Sequence, residues 1–110
     1  MAVARVVLSD PATADLDGAW DYLAREASPE VADFVIALLY EAMYRAAEAP
    51  FLHRVRSEYT NAPRRINVFN YAVFYDPIPE EGGIFVWRVI HAARDLPRLI
   101  RRPAYPPDTD

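Results

Sequence analysis

The run Ile84-Phe-Val-Trp-Arg-Val-Ile-His91 constrains this chain more than any other stretch. Its eight residues are dense in β-branched and aromatic side chains and read as a strand. Two further strand-like runs stand just upstream, Arg65 to Val68 and Tyr71 to Asp76, separated by Phe69-Asn70, where Asn accepts the positive φ of a tight turn. The stretch from Asp76 to Gly83 then connects the second run to the third. The pattern predicts a three-stranded antiparallel meander. Strict alternation places Ile84, Val86, Arg88 and Ile90 on one face and Phe85, Trp87, Val89 and His91 on the other. Both faces are largely apolar, so both need cover.

Part of that cover precedes the meander. Val3 to Leu8 suits a first strand closed by Ser9-Asp10-Pro11, with Asp10 as N-cap and Pro11 in the first helical turn. The helix that follows is predicted to run to about Arg25, burying Leu16, Ala19, Trp20 and Leu23 and turning Asp15, Asp17 and Asp21 to the other side. Ser28-Pro29-Glu30 repeats the entry signal for a second helix ending near Glu48, before Pro50. Its apolar stripe is wide, from Val31, Phe34 and Val35 through Leu38, Leu39, Ala42 and Met43 to Ala46, which implies contact with more than one partner element. The short link Ala27-Ser28 makes the pair a helical hairpin. Phe51 to Pro63 shows neither period and reads as a surface connection.

A helical hairpin covers one face of a small sheet. The other must be covered by a C-terminal segment or by a partner, and an uncovered apolar face rimmed by charge marks an interaction surface. Asp95 to Arg102 is short and basic, and residues 103–110, with three prolines, read as a flexible tail.

Composition narrows the function. A chain of 110 residues forms one domain, 1–110, and 53% hydrophobic residues suffice for a core. No apolar run is long enough to span a bilayer and the N-terminus lacks a signal-peptide layout, so a soluble cytoplasmic protein is expected. There is no cysteine and only two histidines, His53 and His91, so no thiolate site, metal or cofactor is expected. Residues 1–50 hold nine acids and three Arg, whereas residues 51–110 hold seven acids and nine Arg; Lys is absent throughout.

The order strand, helical hairpin, meander, short C-terminal segment comes with specific local matches. Ser9-Asp-Pro-Ala-Thr-Ala-Asp-Leu-Asp-Gly-Ala-Trp-Asp-Tyr-Leu23, Arg65-Ile-Asn-Val-Phe-Asn-Tyr-Ala-Val-Phe-Tyr75 and above all Arg88-Val-Ile-His-Ala-Ala-Arg-Asp95 resemble the ParE branch of the RelE/ParE toxin superfamily, over about residues 3 to 100. The resemblance implies an α+β toxin domain of a toxin–antitoxin system, one associated with plasmid stabilisation. It also implies a cognate ParD-like antitoxin whose extended segment wraps over the toxin, and DNA gyrase as target. Phe69-Asn70 departs from the Gly-containing hairpin turn usual in that branch. The antitoxin-binding residues expected on this basis are Val35 and Leu39 on the second helix and Phe85 and Trp87 on the apolar sheet face, and the target-binding residues are Arg94, Arg98, Arg101 and Arg102.

A RelE-like endoribonuclease is the enzymatic alternative. RNA cleavage needs a base, an acid and cations for the phosphate. The Lys often used by ribosome-dependent relatives is absent, which leaves His91 as base or acid, Arg88, Arg94 and Arg64 or Arg65 as phosphate clamps, and Glu58 as a second proton carrier. His91 equally suits a structural role, Asp95 a helix cap, and Trp20 and Trp87 the core. A non-toxic antitoxin-binding module is a further alternative. An acidic chain with only a terminal Arg cluster is not expected to bind DNA in a sequence-specific way.

Overall fold

A computed structural model describes residues 5–93 and 100–107. Val6–Leu8 form β1, Asp10–Glu26 α1, Pro29–Glu48 α2, Arg64–Val68 β2, Tyr71–Pro77 β3 and Ile84–His91 β4. One four-stranded sheet has the order β1-β4-β3-β2. The last three strands are the expected antiparallel meander, and β1 joins it parallel to β4, with Val6, Val7 and Leu8 opposite Ile84, Phe85 and Val86. The entry of this pair is tight. Gly83 has φ +89, and a Cβ there would stand 2.1 Å from the Arg5 carbonyl oxygen, so only glycine lets β4 begin against β1.

Both helices start as the sequence implies, with one shift. The cap of α1 is Ser9 rather than Asp10. The Ser9 hydroxyl accepts the Ala12 N–H at 3.0 Å and donates to the Trp87 carbonyl at 2.6 Å, so one oxygen caps the helix and ties it to β4. Asp10 sits in the first turn near the positive helix end, where an acid is favourable. Ser28 caps α2 by accepting the Val31 N–H at 3.1 Å. Trp20 donates its indole N–H to Asp33 at 2.8 Å, linking the helices across the hairpin.

The acidic side of α1 is not wholly solvent-facing. Asp15 turns toward the sheet, accepts two bonds from the Arg88 guanidinium at 2.7 and 2.9 Å, and accepts the Val89 N–H at 2.9 Å. β1 is only three residues long, so the upper edge of β4 has no strand beside it. Ser9 and Asp15 fill that gap by bonding its backbone. The Asp15 carboxylate also holds Arg88 above the usual arginine range.

Face alternation along β4 departs from the strict pattern. The register shifts between Phe74 and Tyr75, with Phe74 opposite Arg88 but Tyr75 opposite Val86, which leaves an extra residue on β4 at Trp87. A bulge of this kind reverses which side later residues face. Ile84, Val86 and Val89 pack with the helices, against Leu16, Leu39 and Met43, whereas Phe85, Trp87 and Ile90 lie on the far face with Phe74, Ile78 and Tyr59. Val89 and Ile90 thus exchange the sides that alternation assigns them.

The far face is not open: of the two covers the sequence allows, the chain supplies its own. Tyr59 of the irregular connection and Ile100 of the C-terminal segment cover it, and Phe85 and Trp87 are buried. Tyr105, read from sequence as part of a flexible tail, lies edge-on to Phe85 with ring centroids 4.8 Å apart. Residues 108–110 lie outside the described residues.

Two predictions follow from these contacts. Asp15→Ala removes two guanidinium bonds and leaves the Val89 N–H without its acceptor, and thermal or denaturant unfolding should show a loss of about 2–3 kcal/mol. Tyr75 is fully buried, and its hydroxyl has no hydrogen-bond partner among the described residues; burial pushes its pKa from 10.0 up to about 12. A phenol that ionises less readily when folded stabilises the fold fully below pH 10 and loses that contribution as pH rises towards 12. Tyr75→Phe should therefore change neutral-pH stability by no more than about 1 kcal/mol and shift alkaline unfolding to higher pH.

Candidate partner-binding groove

The wide apolar stripe of α2 divides into two. Ala32, Leu39, Met43, Ala46 and Ala47 are buried, while Val31, Phe34, Val35, Leu38 and Ala42 project about 100° further round the helix axis. The second set meets no helix or strand that buries it. Val31 is 41% and Phe34 60% exposed, and Val35 and Leu38 are half-buried.

This outer stripe forms one wall of a groove, and the β2–β3 hairpin forms the other. Its upper half holds about 490 Å³ between Tyr22, Val31, Phe34, Val35 and Phe69, and closes at Tyr71 and His91. Its lower half, also about 490 Å³, lies between Leu38, Ala42, Leu52, Ile66 and Phe69, with Arg45 and His53 at the rim. Phe69 lines both halves and is 66% exposed; Leu52 is 77% exposed.

The hairpin tip is unusual. The residue with positive φ is Phe69, at 52°, not Asn70 as the sequence suggests. A bulky residue in the left-handed region costs of the order of 1 kcal/mol or more. Here that backbone presents an aromatic ring to solvent between two apolar hollows. Alongside runs the outer edge of β2, which pairs with β3 on its inner side only. Beyond the single Val55–Arg64 bridge, no described strand pairs with it.

Electrostatics give the groove a direction. At its upper end α1 and the start of α2 carry Asp17, Asp21, Glu26, Glu30 and Asp33, and at its lower end stand Arg45 and Arg64. Arg45 is paired with Glu41 one turn earlier. Arg64 donates to the His53 carbonyl at 2.5 Å and lies over the Phe51 ring.

His91 marks the upper boundary as a structural group. Its Nδ1 accepts the Ala93 N–H at 3.2 Å and its ring meets Tyr71 edge-on at 5.5 Å. Of the residues considered for RNA cleavage, those that are described do not assemble around it. Arg88 is bound to Asp15. Arg65 lies on the far face over Phe74, donating to Tyr59 and Asn67, and Glu58 is paired with Arg56. Arg64 pairs with Tyr75 while His91 pairs with Tyr71, at opposite ends of β3 and so about 13 Å apart along the strand. Arg94, Asp95 and Arg98 lie outside the described residues.

The residues expected to bind an antitoxin are also redistributed. Val35 lines the groove, whereas Leu39, Phe85 and Trp87 belong to the core. Of the expected target-binding arginines, Arg101 is exposed; Arg102 is paired with Asp76 at 2.8 Å and lies over Trp87. Sequence reasoning missed Phe69, Leu52, Tyr22 and Asp15. A signal existed for the first two, since an irregular connection and a turn seldom carry such large apolar groups without use. Among the described residues no cluster of His, Asp and Glu could hold a metal, and no helix is long and apolar enough to cross a membrane.

Comparison with known proteins agrees with this architecture. A chain of the chromosomal ParDE TA system from P. aeruginosa superposes with a TM-score of 0.68, covering 81% of this chain and 96% of that one at 16% identity, which establishes a shared fold. No curated protein matches the sequence. Residues 6–96 match the family described as ParE toxin of type II toxin-antitoxin system, parDE. With that match running from β1 through the end of β4 and just beyond, the chain belongs to the ParE toxin family.

Proposed function

We propose that the protein is a toxin that inhibits DNA gyrase and is held inactive by a ParD-like antitoxin lying along the groove between α2 and the β2–β3 hairpin. The observation that carries the antitoxin site is the outer stripe of α2 facing Phe69 across an apolar trough, with no element among the described residues covering it. A segment with apolar anchors at helical spacing fills such a trough, and the open β2 edge offers backbone pairing to an extended continuation. The gyrase target is supported by membership of the ParE family and by the dispersal of the groups that RNA cleavage would need. Arg101, exposed and without an ion pair among the described residues, is the target-contacting candidate that remains accessible.

Two measurements test this function. Purified protein added to gyrase should abolish supercoiling of relaxed plasmid, and unchanged supercoiling at a large molar excess rejects the target. Phe34→Asp and Leu52→Asp place charge on exposed apolar positions without touching the core, so folding should be preserved while affinity for the product of the adjacent reading frame falls at least tenfold, the scale of an interface hot spot. Undiminished affinity in both variants would place the antitoxin elsewhere.

A further inference from the structure

On the far face of the sheet, three guanidinium groups lie within about 6 Å of the centres of buried aromatic rings. Arg56 sits over Tyr59 at 5.9 Å, Arg65 over Phe74 at 5.6 Å and Arg102 over Trp87 at 5.1 Å. Tyr59 and Phe74 contact each other at 4.9 Å, so two of the stacks share a continuous aromatic floor. The layer is held by fixed partners: Arg65 donates to Tyr59 and Asn67, and Arg102 to Asp76 and the Asn61 carbonyl. Register places Arg54 on the same side. Val55 bridges Arg64, which faces the helices, so Arg54 and Arg56 point with Arg65 to the far face.

The charge of this face is concentrated. Of the residues between 54 and 65, Arg54, Arg56 and Arg65 lie on this face with one acid, Glu58, and Arg101 is exposed on the C-terminal segment, whereas α1 and α2 together carry nine acids and two Arg. Among the described residues Glu58 and Asp76 form ion pairs with Arg56 and Arg102, Arg54 is near enough to Glu58 to help hold its carboxyl below the usual range, and Glu80 and Glu81 line the hollow that Arg102 borders. This side is therefore less acidic than the helical side and the more favourable one for a polyanion to approach.

We propose that this layer of arginines binds single-stranded nucleic acid, with guanidinium edges contacting phosphates and outward guanidinium faces stacking unpaired bases. The Arg56 and Arg102 side chains are 23% and 46% exposed, so part of each guanidinium remains open to a ligand. An acidic peptide would use the edges alone, whereas an unpaired nucleotide uses edge and face together. The patch is compact rather than a long stripe, which favours a flexible strand over a rigid duplex. The site is remote from the α2 groove and does not rest on gyrase as target.

Fluorescence anisotropy of a labelled oligodeoxythymidine with the full-length protein tests it. Neutralising about three phosphates gives a slope of about −2 in log K against log salt, or roughly a 20-fold loss of affinity between about 50 and 200 mM salt. Arg54→Ala and Arg101→Ala, both at exposed positions, should each weaken binding several-fold, while Arg25→Ala on α1 should leave it unchanged. Arg65→Lys keeps the charge but loses the planar guanidinium, and it should weaken binding as well; unchanged circular dichroism confirms that the variants fold. Absence of binding at low salt, equal loss with Arg25→Ala, or equally effective displacement by polyglutamate at matched charge would each overturn the proposal, the last by identifying an acidic-peptide surface instead.

Discussion

The rest of the structure depends on how α1 is fastened to the edge of β4. β1 stops after three residues because Ser9-Asp-Pro begins a helix. That leaves the Trp87 carbonyl and the Val89 N–H at a strand edge with no neighbouring strand, and buried backbone groups of this kind must be satisfied. The Ser9 hydroxyl takes the first and the Asp15 carboxylate the second, while Asp15 also clamps Arg88 in a bidentate pair. Two side chains of the preceding segment thus do the work of a missing strand. They fix the helical hairpin over the sheet at one position, and that position determines which stripe of α2 faces inward.

The partner groove is a consequence. α1 and the sheet take the inner stripe of α2 and leave the outer one, from Val31 to Ala42, beside the β2–β3 hairpin. Unpartnered, such a stripe is a liability, since exposed apolar area invites association. It lies opposite an open strand edge and a strained, solvent-facing Phe69, which is the arrangement on which the proposed antitoxin site rests. The two sides of the molecule are accordingly different in kind. The helical side is acidic and apolar, while the far side of the sheet is sealed by Tyr59 and Ile100 and carries arginines set over aromatic rings.

Much of this was legible from local residue patterns. Ser28-Pro29 fixed the start of α2 because a hydroxyl cap and a proline act within one turn, and the alternation from Tyr71 onward gave β3 and β4 nearly to the residue. Asp15 was not legible. Helical periodicity placed it with Asp17 and Asp21 on the solvent side, and only the docking angle of α1 brings its carboxylate to Arg88, 73 residues away. The facing of Val89 and Ile90 was lost for a related reason, since a bulge inserts one residue and period two cannot show where. The cover of the far face was undecidable between a partner and the C-terminal segment until Ile100 and Tyr105 were placed.

Sequence alone therefore determined the elements, their order and the family pattern centred on Ile84 to Asp95, because propensity, capping and alternation act over a few residues. Tertiary structure decided which apolar surfaces are core and which are offered to a partner. Phe85 and Trp87 looked available and are buried, whereas Phe34, Leu52 and Phe69 are exposed. Burial depends on which elements come together across the chain, and no local window contains that information. The same holds for the arginines. In the sequence Arg102 belonged to a terminal cluster and Arg65 to a candidate phosphate clamp, and folding set both, with Arg56, over rings brought in from β3, β4 and the connection before β2.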